Sequence, residues 1–167
     1  MGLLFQQLHG IEMKIIDGGN IFDSECIALV NPVNCVGVCG AGLALEFKRK
    51  FPDNYKEYKK RCLLGEIKIG HMLLTGMSLF VESTIIINFP TKDHWKNPSK
   101  LEYVKEGLTD LSEYVFLKGI ASIAFPLLGC GLGGLKRKDV EELILKFDEY
   151  VNTKYNKHPR CYVELYV

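Results

Sequence analysis

The sequence has no CxxC pair and no Cys/His cluster at zinc spacing, so its six cysteines, Cys26, Cys35, Cys39, Cys62, Cys130 and Cys161, do not read as a metal site. Reduced thiols in a cytoplasmic protein fit better than a disulfide framework. No apolar run approaches the ~18 residues of a membrane-spanning helix, and no membrane association is expected. Charge of one sign is also missing. Lys and Arg number 21 against 20 acids, leaving a net charge of +1 and no global field for nucleic acid, so any basic site must be local. The opening MGLLFQQLHGIE lacks a basic n-region and a small-residue cleavage site, so it does not read as a secretory signal. Residues 1–12 read as an N-terminal extension, with Met13 as an alternative or native start, and 13–167 as one domain. There are no repeats, low-complexity tracts or long linkers. What remains is 167 residues, 47% hydrophobic and 25% charged, the composition of a single globular domain.

Short β-branched segments bounded by Gly, Pro, Asn or Asp predict strands at Lys14–Ile16, Cys26–Val30, His71–Leu74, Leu79–Val81, Thr84–Asn88, Ile120–Phe125 and Cys161–Tyr166. Leu101, Val104, Leu108, Leu111 and Val115 recur at helical spacing behind a Ser99-x-x-Glu102 capping box. Val140, Leu143, Ile144, Phe147 and Val151 repeat the pattern, and Leu43–Lys50 and Asn54–Arg61 form helical pieces separated by Pro52. Runs such as Ala28–Val30 and Ile85–Ile87 show no polar alternation, so both strand faces are expected beneath helices. The fold class is α/β, a three-layer α/β/α sandwich. A hairpin through Thr75-Gly76-Met77-Ser78, with arms near Met72 and Phe80, would make its central sheet mixed.

Asn31-Pro-Val-Asn34-Cys-Val-Gly37-Val-Cys-Gly40-Ala-Gly42 follows a buried strand and runs into a helix. Ligands favour that edge of an open α/β sheet, where glycines let backbone N–H groups approach a phosphate and a helix N-terminus adds positive charge. The bland reading is a turn that merely redirects the chain. A second loop of the same kind, Leu127-Leu-Gly129-Cys-Gly131-Leu-Gly133-Gly134-Leu135, suggests a diphosphate held between the two. Gly129, Gly131 and Gly134 satisfy GxGxxG, but no acidic residue ends a following strand, and neither loop carries GK[ST]; dinucleotide binding and triphosphate hydrolysis lack support.

Asn34 could read sugar hydroxyls or form a turn, and Asn31, before Pro32, leans to the turn. After the most apolar strand comes Asn88-Phe-Pro-Thr91-Lys92-Asp-His94-Trp95-Lys96. A solvated charge is the default for any lysine, whereas an amine desolvated beside a pocket can serve as nucleophile or base, and its strand-end position moves Lys92 toward the second role. Trp95, the one tryptophan, is a core anchor or a stacking surface; His94 is undecided, and Lys96 and Lys100 extend the local positive charge toward phosphate contacts with single-stranded nucleic acid. There is no GxSxG elbow, the cysteines read as fillers, and the glycine loops hold no Asp or Glu for paired-carboxylate chemistry, which returns attention to Lys92.

With Gly19-Asn20-Ile21, the Val30–Lys48 segment, Asn88–Trp95 and Pro126–Leu135 in that order, the chain from Met13 onward resembles a macrodomain, most closely the DarG antitoxin branch. The resemblance implies ADP-ribose between the glycine loops: Asn20 and Ile21 near the adenine, Asn34 near the distal ribose, and Gly37, Val38, Cys39, Gly40, Ala41, Gly42, Leu43, Pro90, Thr91, Gly129, Cys130, Gly131, Leu132, Gly133 and Gly134 around the ligand. Many macrodomains have Asp where Asn20 stands. It also implies Lys92 and Asn34 as catalytic residues, no metal or cofactor, and removal of ADP-ribose from thymine in single-stranded DNA, with His94, Trp95 and Lys96 on the DNA and a cognate ADP-ribosyltransferase toxin as partner. A related branch pairs its lysine with an aspartate in the last glycine loop, where this chain has Gly133. Hydrolysis of protein-linked ADP-ribose, ADP-ribose 1″-phosphate phosphatase activity and non-catalytic ADP-ribose binding are the alternatives.

Overall fold

The computed structural model describes residues 13–77, 83–154 and 160–167. Six strands form one sheet: β1 (Lys14–Ile16), β2 (Ala28–Asn34), β3 (Leu73–Thr75), β4 (Ile85–Lys92), β5 (Ser122–Pro126) and β6 (Tyr162–Tyr166). Their order is β1-β6-β5-β2-β4-β3, with every neighbour parallel except β3 against β4. The expected mixed sheet is therefore present. Its antiparallel pair is β3 with β4; the predicted strand Leu79–Val81 lies outside the described residues. So does the extension at 1–12.

Four helices cover the sheet: α1 (Gly42–Lys50), α2 (Pro52–Leu63), α3 (Leu101–Lys118) and α4 (Arg137–Thr153). Alternate strand residues divide between the two faces. Ala28, Val30, Ile87, Phe89, Ile123, Phe125, Val163 and Leu165 pack with α3 and α4, while Leu29, Ile86 and Ala124 pack with Ile21 and Phe47 on the α1 side. Pro52 occupies the first turn of α2, where its missing N–H costs nothing. Gly107 lets α3 close on β4, because a Cβ there would lie 2.3 Å from the Phe89 ring.

Three sequence expectations need correction. The strand expected at Cys26–Val30 begins at Ala28 and continues through Pro32 to Asn34, because β4 pairs with it along that whole length, whereas β5 pairs with it only at Ala28 and Leu29. Beyond Leu29 the β5 side of β2 is open, so Pro32 deprives no neighbour of a donor on that side. Asn31 is consequently a buried strand residue rather than a turn former, its Nδ2 donating to Asn88 Oδ1 at 3.1 Å. The Ser99–Glu102 capping box does not form. Lys100 is the N-cap of α3 and caps with no side-chain bond, while the Ser99 backbone N–H is committed to Gly133 O at 3.0 Å.

Candidate functional site

Where β2 and β5 separate, their chain directions also diverge: β5 leads to β6 on one side, and β2 leads by way of α1 and α2 to β3 and β4 on the other. Such a switch point leaves a crevice at the carboxyl ends of the strands. Here it is a cleft of about 540 Å³, floored by Pro32, Val33 and Asn34 of β2 and by Pro126 and Leu127. Its walls are the two glycine loops, through Val38, Gly40, Ala41 and Gly42 on one side and Gly129, Gly131, Leu132 and Gly133 on the other. Leu43, Thr91, Lys92 and Trp95 complete the predicted residues that line it.

The first loop is organised by Asn34. Its Oδ1 accepts from the N–H of Val36 (3.0 Å) and Val38 (3.3 Å) and from the Tyr58 hydroxyl (3.1 Å), and its Nδ2 donates to Val38 O at 2.7 Å. One Nδ2 proton remains for a ligand. Gly37, with φ of 81°, makes the turn in a backbone conformation that side-chain-bearing residues rarely adopt. Ala41 caps α1 without a side-chain bond, which leaves the first N–H groups of that helix at the cleft wall.

A register shift between Val33 and Asn34 sets Lys92 directly beside Asn34 on adjacent parallel strands. The two predicted catalytic side chains thus leave neighbouring strand ends. The Lys92 ammonium donates to Leu132 O at 3.1 Å and Trp95 O at 3.4 Å, bridging the β4 end to the second glycine loop. Among the described residues that line the cleft, Lys92 is the one ionisable side chain and there is no carboxylate, an arrangement suited to an anionic ligand. Trp95 is 48% exposed and is no core anchor; His94 stacks on it at 5.7 Å and the Lys96 ammonium lies 5.1 Å from its ring centre. Asp93 turns to Asn97 and the His94 N–H, and those donors hold its carboxyl below the usual range.

Ser99, read from the sequence as a cap, is a site residue that spacing could not reveal. It lines the cleft, is buried, and its hydroxyl has no hydrogen-bond partner. A Cβ on Gly133 would fall 2.3 Å from that hydroxyl, so the second loop can lie against Ser99 only with glycine there.

Other predicted residues lie apart from the cleft lining. Asn20 caps a 3₁₀ turn, Ile21–Asp23, accepting from the Phe22 N–H at 3.0 Å, and Ile21 is buried beneath it. That turn is braced by Ser24, whose hydroxyl donates to Glu164 Oε2 at 2.7 Å. Cys39 packs in the core with Val33 and Tyr58, and burial pushes the Cys35 and Cys39 thiols up to about 11, which keeps them protonated and poor nucleophiles near neutrality. Among the described residues, no group of three His, Cys, Asp or Glu could hold a metal ion. No helix there is long and apolar enough to cross a membrane.

Comparison with known proteins adds independent findings. The Macro domain family model matches residues 30–144. The DNA ADP-ribosyl glycohydrolase of Thermus aquaticus is 47% identical over 126 residues, covering 75% of this chain and 35% of that protein. The chain thus spans about a third of the length of the DNA ADP-ribosyl glycohydrolases it matches. The solved macrodomain of Mycobacterium tuberculosis DarG superposes with a TM-score of 0.80 at 40% identity, over 91% of this chain and 97% of that one. Thermosipho africanus DarTG in complex with ADP-ribose gives a TM-score of 0.77 at 33% identity, over 92% of this chain and 41% of the other.

Proposed function

The chain belongs to the Macro domain family, with DarG macrodomains among its relatives, and from that premise we propose that its cleft binds ADP-ribose and releases it from thymine bases of single-stranded DNA. The reading makes the protein a cytoplasmic ADP-ribosyl glycohydrolase that reverses a cognate DNA ADP-ribosyltransferase toxin. A Thermosipho africanus relative, 35% identical over 144 residues, is a transferase–glycohydrolase fusion protein, which supports the pairing of the two activities.

The observation that carries the proposal is the placement of Lys92 beside Asn34 in a cleft without carboxylates. The diphosphate lies between the glycine loops, whose N–H groups and the α1 N-terminus complement its charge. The adenine extends beyond the cleft lining to the Asn20 side chain and the backbone of the turn at Ile21. Asn34 spends its remaining Nδ2 proton on the distal ribose, and Lys92 leaves Leu132 O and Trp95 O to act at C1″. The amine, having released a proton, bonds to C1″ as the bond from C1″ to the base breaks; the base departs with the bonding electrons and takes up that proton, and water then displaces the amine at C1″ to release ADP-ribose. No side chain in the cleft lining could activate water as a carboxylate does, so the amine carries the step.

The test is release of free ADP-ribose from thymine-ADP-ribosylated single-stranded DNA. Lys92→Ala is expected to slow release by about a hundredfold or more while free ADP-ribose still binds by calorimetry. Equal release by both proteins would refute the role of Lys92. Binding without release by the wild type would favour a reader, and phosphate release from ADP-ribose 1″-phosphate would favour a phosphatase.

A further inference from the structure

Charge is distributed unequally between the two helical layers. Helices α1 and α2 carry seven Lys or Arg against three acids, whereas α3 and α4 carry five against nine. A net charge of +1 therefore conceals one basic face and one acidic face. On the basic face, Lys56 is paired with Asp53 and Arg61 with Glu57 and Glu66, but Lys48, Arg49, Lys50, Lys59 and Lys60 make no ion pair with a described carboxylate. Most of these are exposed.

This face is continuous with the cleft. The Lys59 Cγ lies 3.6 Å from the position a Cβ on Gly37 would take, directly under the first glycine loop. The ammonium groups of Lys48 and Lys59 lie 4.3 Å and 6.0 Å from the centre of the Tyr55 ring, whose hydroxyl donates to Gly37 O at 3.4 Å. Across the cleft, Trp95 and Lys96 repeat the cation–aromatic pairing. An anionic surface alone would call for the lysines only. Aromatic rings interleaved with unpaired cations on both sides of a cleft mouth suit a strand that carries phosphates and stackable bases together.

We propose that the α1–α2 face is a binding surface for single-stranded DNA, the strand crossing the cleft mouth from Trp95 to Tyr55 with its phosphates on Lys59 and Lys60. This rests on the glycohydrolase reading for the identity of the strand, but its test does not require turnover. Fluorescence anisotropy of a labelled, unmodified oligodeoxythymidylate is measured on the full chain across a salt series. The wild type binds with an affinity that falls as salt rises. The exposed double variant Lys59→Glu/Lys60→Glu binds at least about tenfold more weakly and has a log–log salt slope shallower by about 1.4, two contacts at ~0.7 each. Its ADP-ribose affinity and melting temperature stay at the wild-type values. Lys105→Glu/Lys138→Glu makes the same change in net charge on the acidic face and leaves strand binding unaltered.

Equal weakening by the two double variants would overturn the proposal, as would wild-type binding in Lys59→Glu/Lys60→Glu or no strand binding by the wild type. Binding to phosphatidylserine vesicles but not to the strand would assign the face to a lipid surface instead. Strand binding with the expected loss in Lys59→Glu/Lys60→Glu, but no ADP-ribose release from modified DNA, would sustain this surface and refute the glycohydrolase reading.

Discussion

Ser99 keeps a buried hydroxyl without a partner, and such a group costs the folded state its lost hydration. Ser99→Ala removes that cost but keeps the backbone bond to Gly133, so stability is expected to rise by about 1 kcal/mol; a lower urea midpoint would show that the hydroxyl is satisfied. Asp148 is a second buried polar group. Burial pushes its carboxyl up to about 6 despite the Asn152 amide at 2.9 Å and the Met13 N–H. Between the ordinary 3.8 and that value, the folded state retains a proton that the unfolded chain has lost. Stability therefore falls as pH rises through this window, by about 3 kcal/mol in all, and Asp148→Asn is expected to flatten the fall in urea unfolding followed against pH. A variant with the wild-type slope would assign it to another group.

Among the elements, α3 shows how closely a helix depends on one missing side chain. Gly107→Ala sets a Cβ into the Phe89 ring and is expected to destabilise the protein by about 1–3 kcal/mol, measured by denaturant unfolding; an unchanged midpoint would mean that α3 yields without strain. The helix itself was legible, since five apolar residues at spacings of three and four define its buried face. The glycine loops were legible as well, because Gly punctuates the chain wherever it turns. Strand ends were not. Pro32 argued for a stop after Val30, but the strand continues to Asn34 because β4 pairs with it that far, and the departure of β5 leaves Pro32 no ladder to break on the other side. Ser99 was misread for a related reason: the spacing of a capping box is visible in sequence, but the Gly133 carbonyl that claims the Ser99 backbone is a tertiary partner. Likewise, Asn34 was expected either to turn the chain or to read a ligand, and its hydrogen bonds already engage it in the first while leaving one proton for the second.

At the scale of the whole molecule, stability rests on two apolar layers and no cross-links, all six cysteines being free. The melting temperature is therefore expected to be the same with and without reductant, checked by paired thermal scans; a loss on reduction would reveal a disulfide. Among the described residues, the parallel arrangement is interrupted only at β3, and the sheet begins and ends on strands of three residues, β1 and β3. Such short margins offer an incoming chain few backbone groups to pair with. Two copies meeting edge to edge would gain little from joining their sheets, a geometry that favours recovery of separate monomers when concentrated protein refolds.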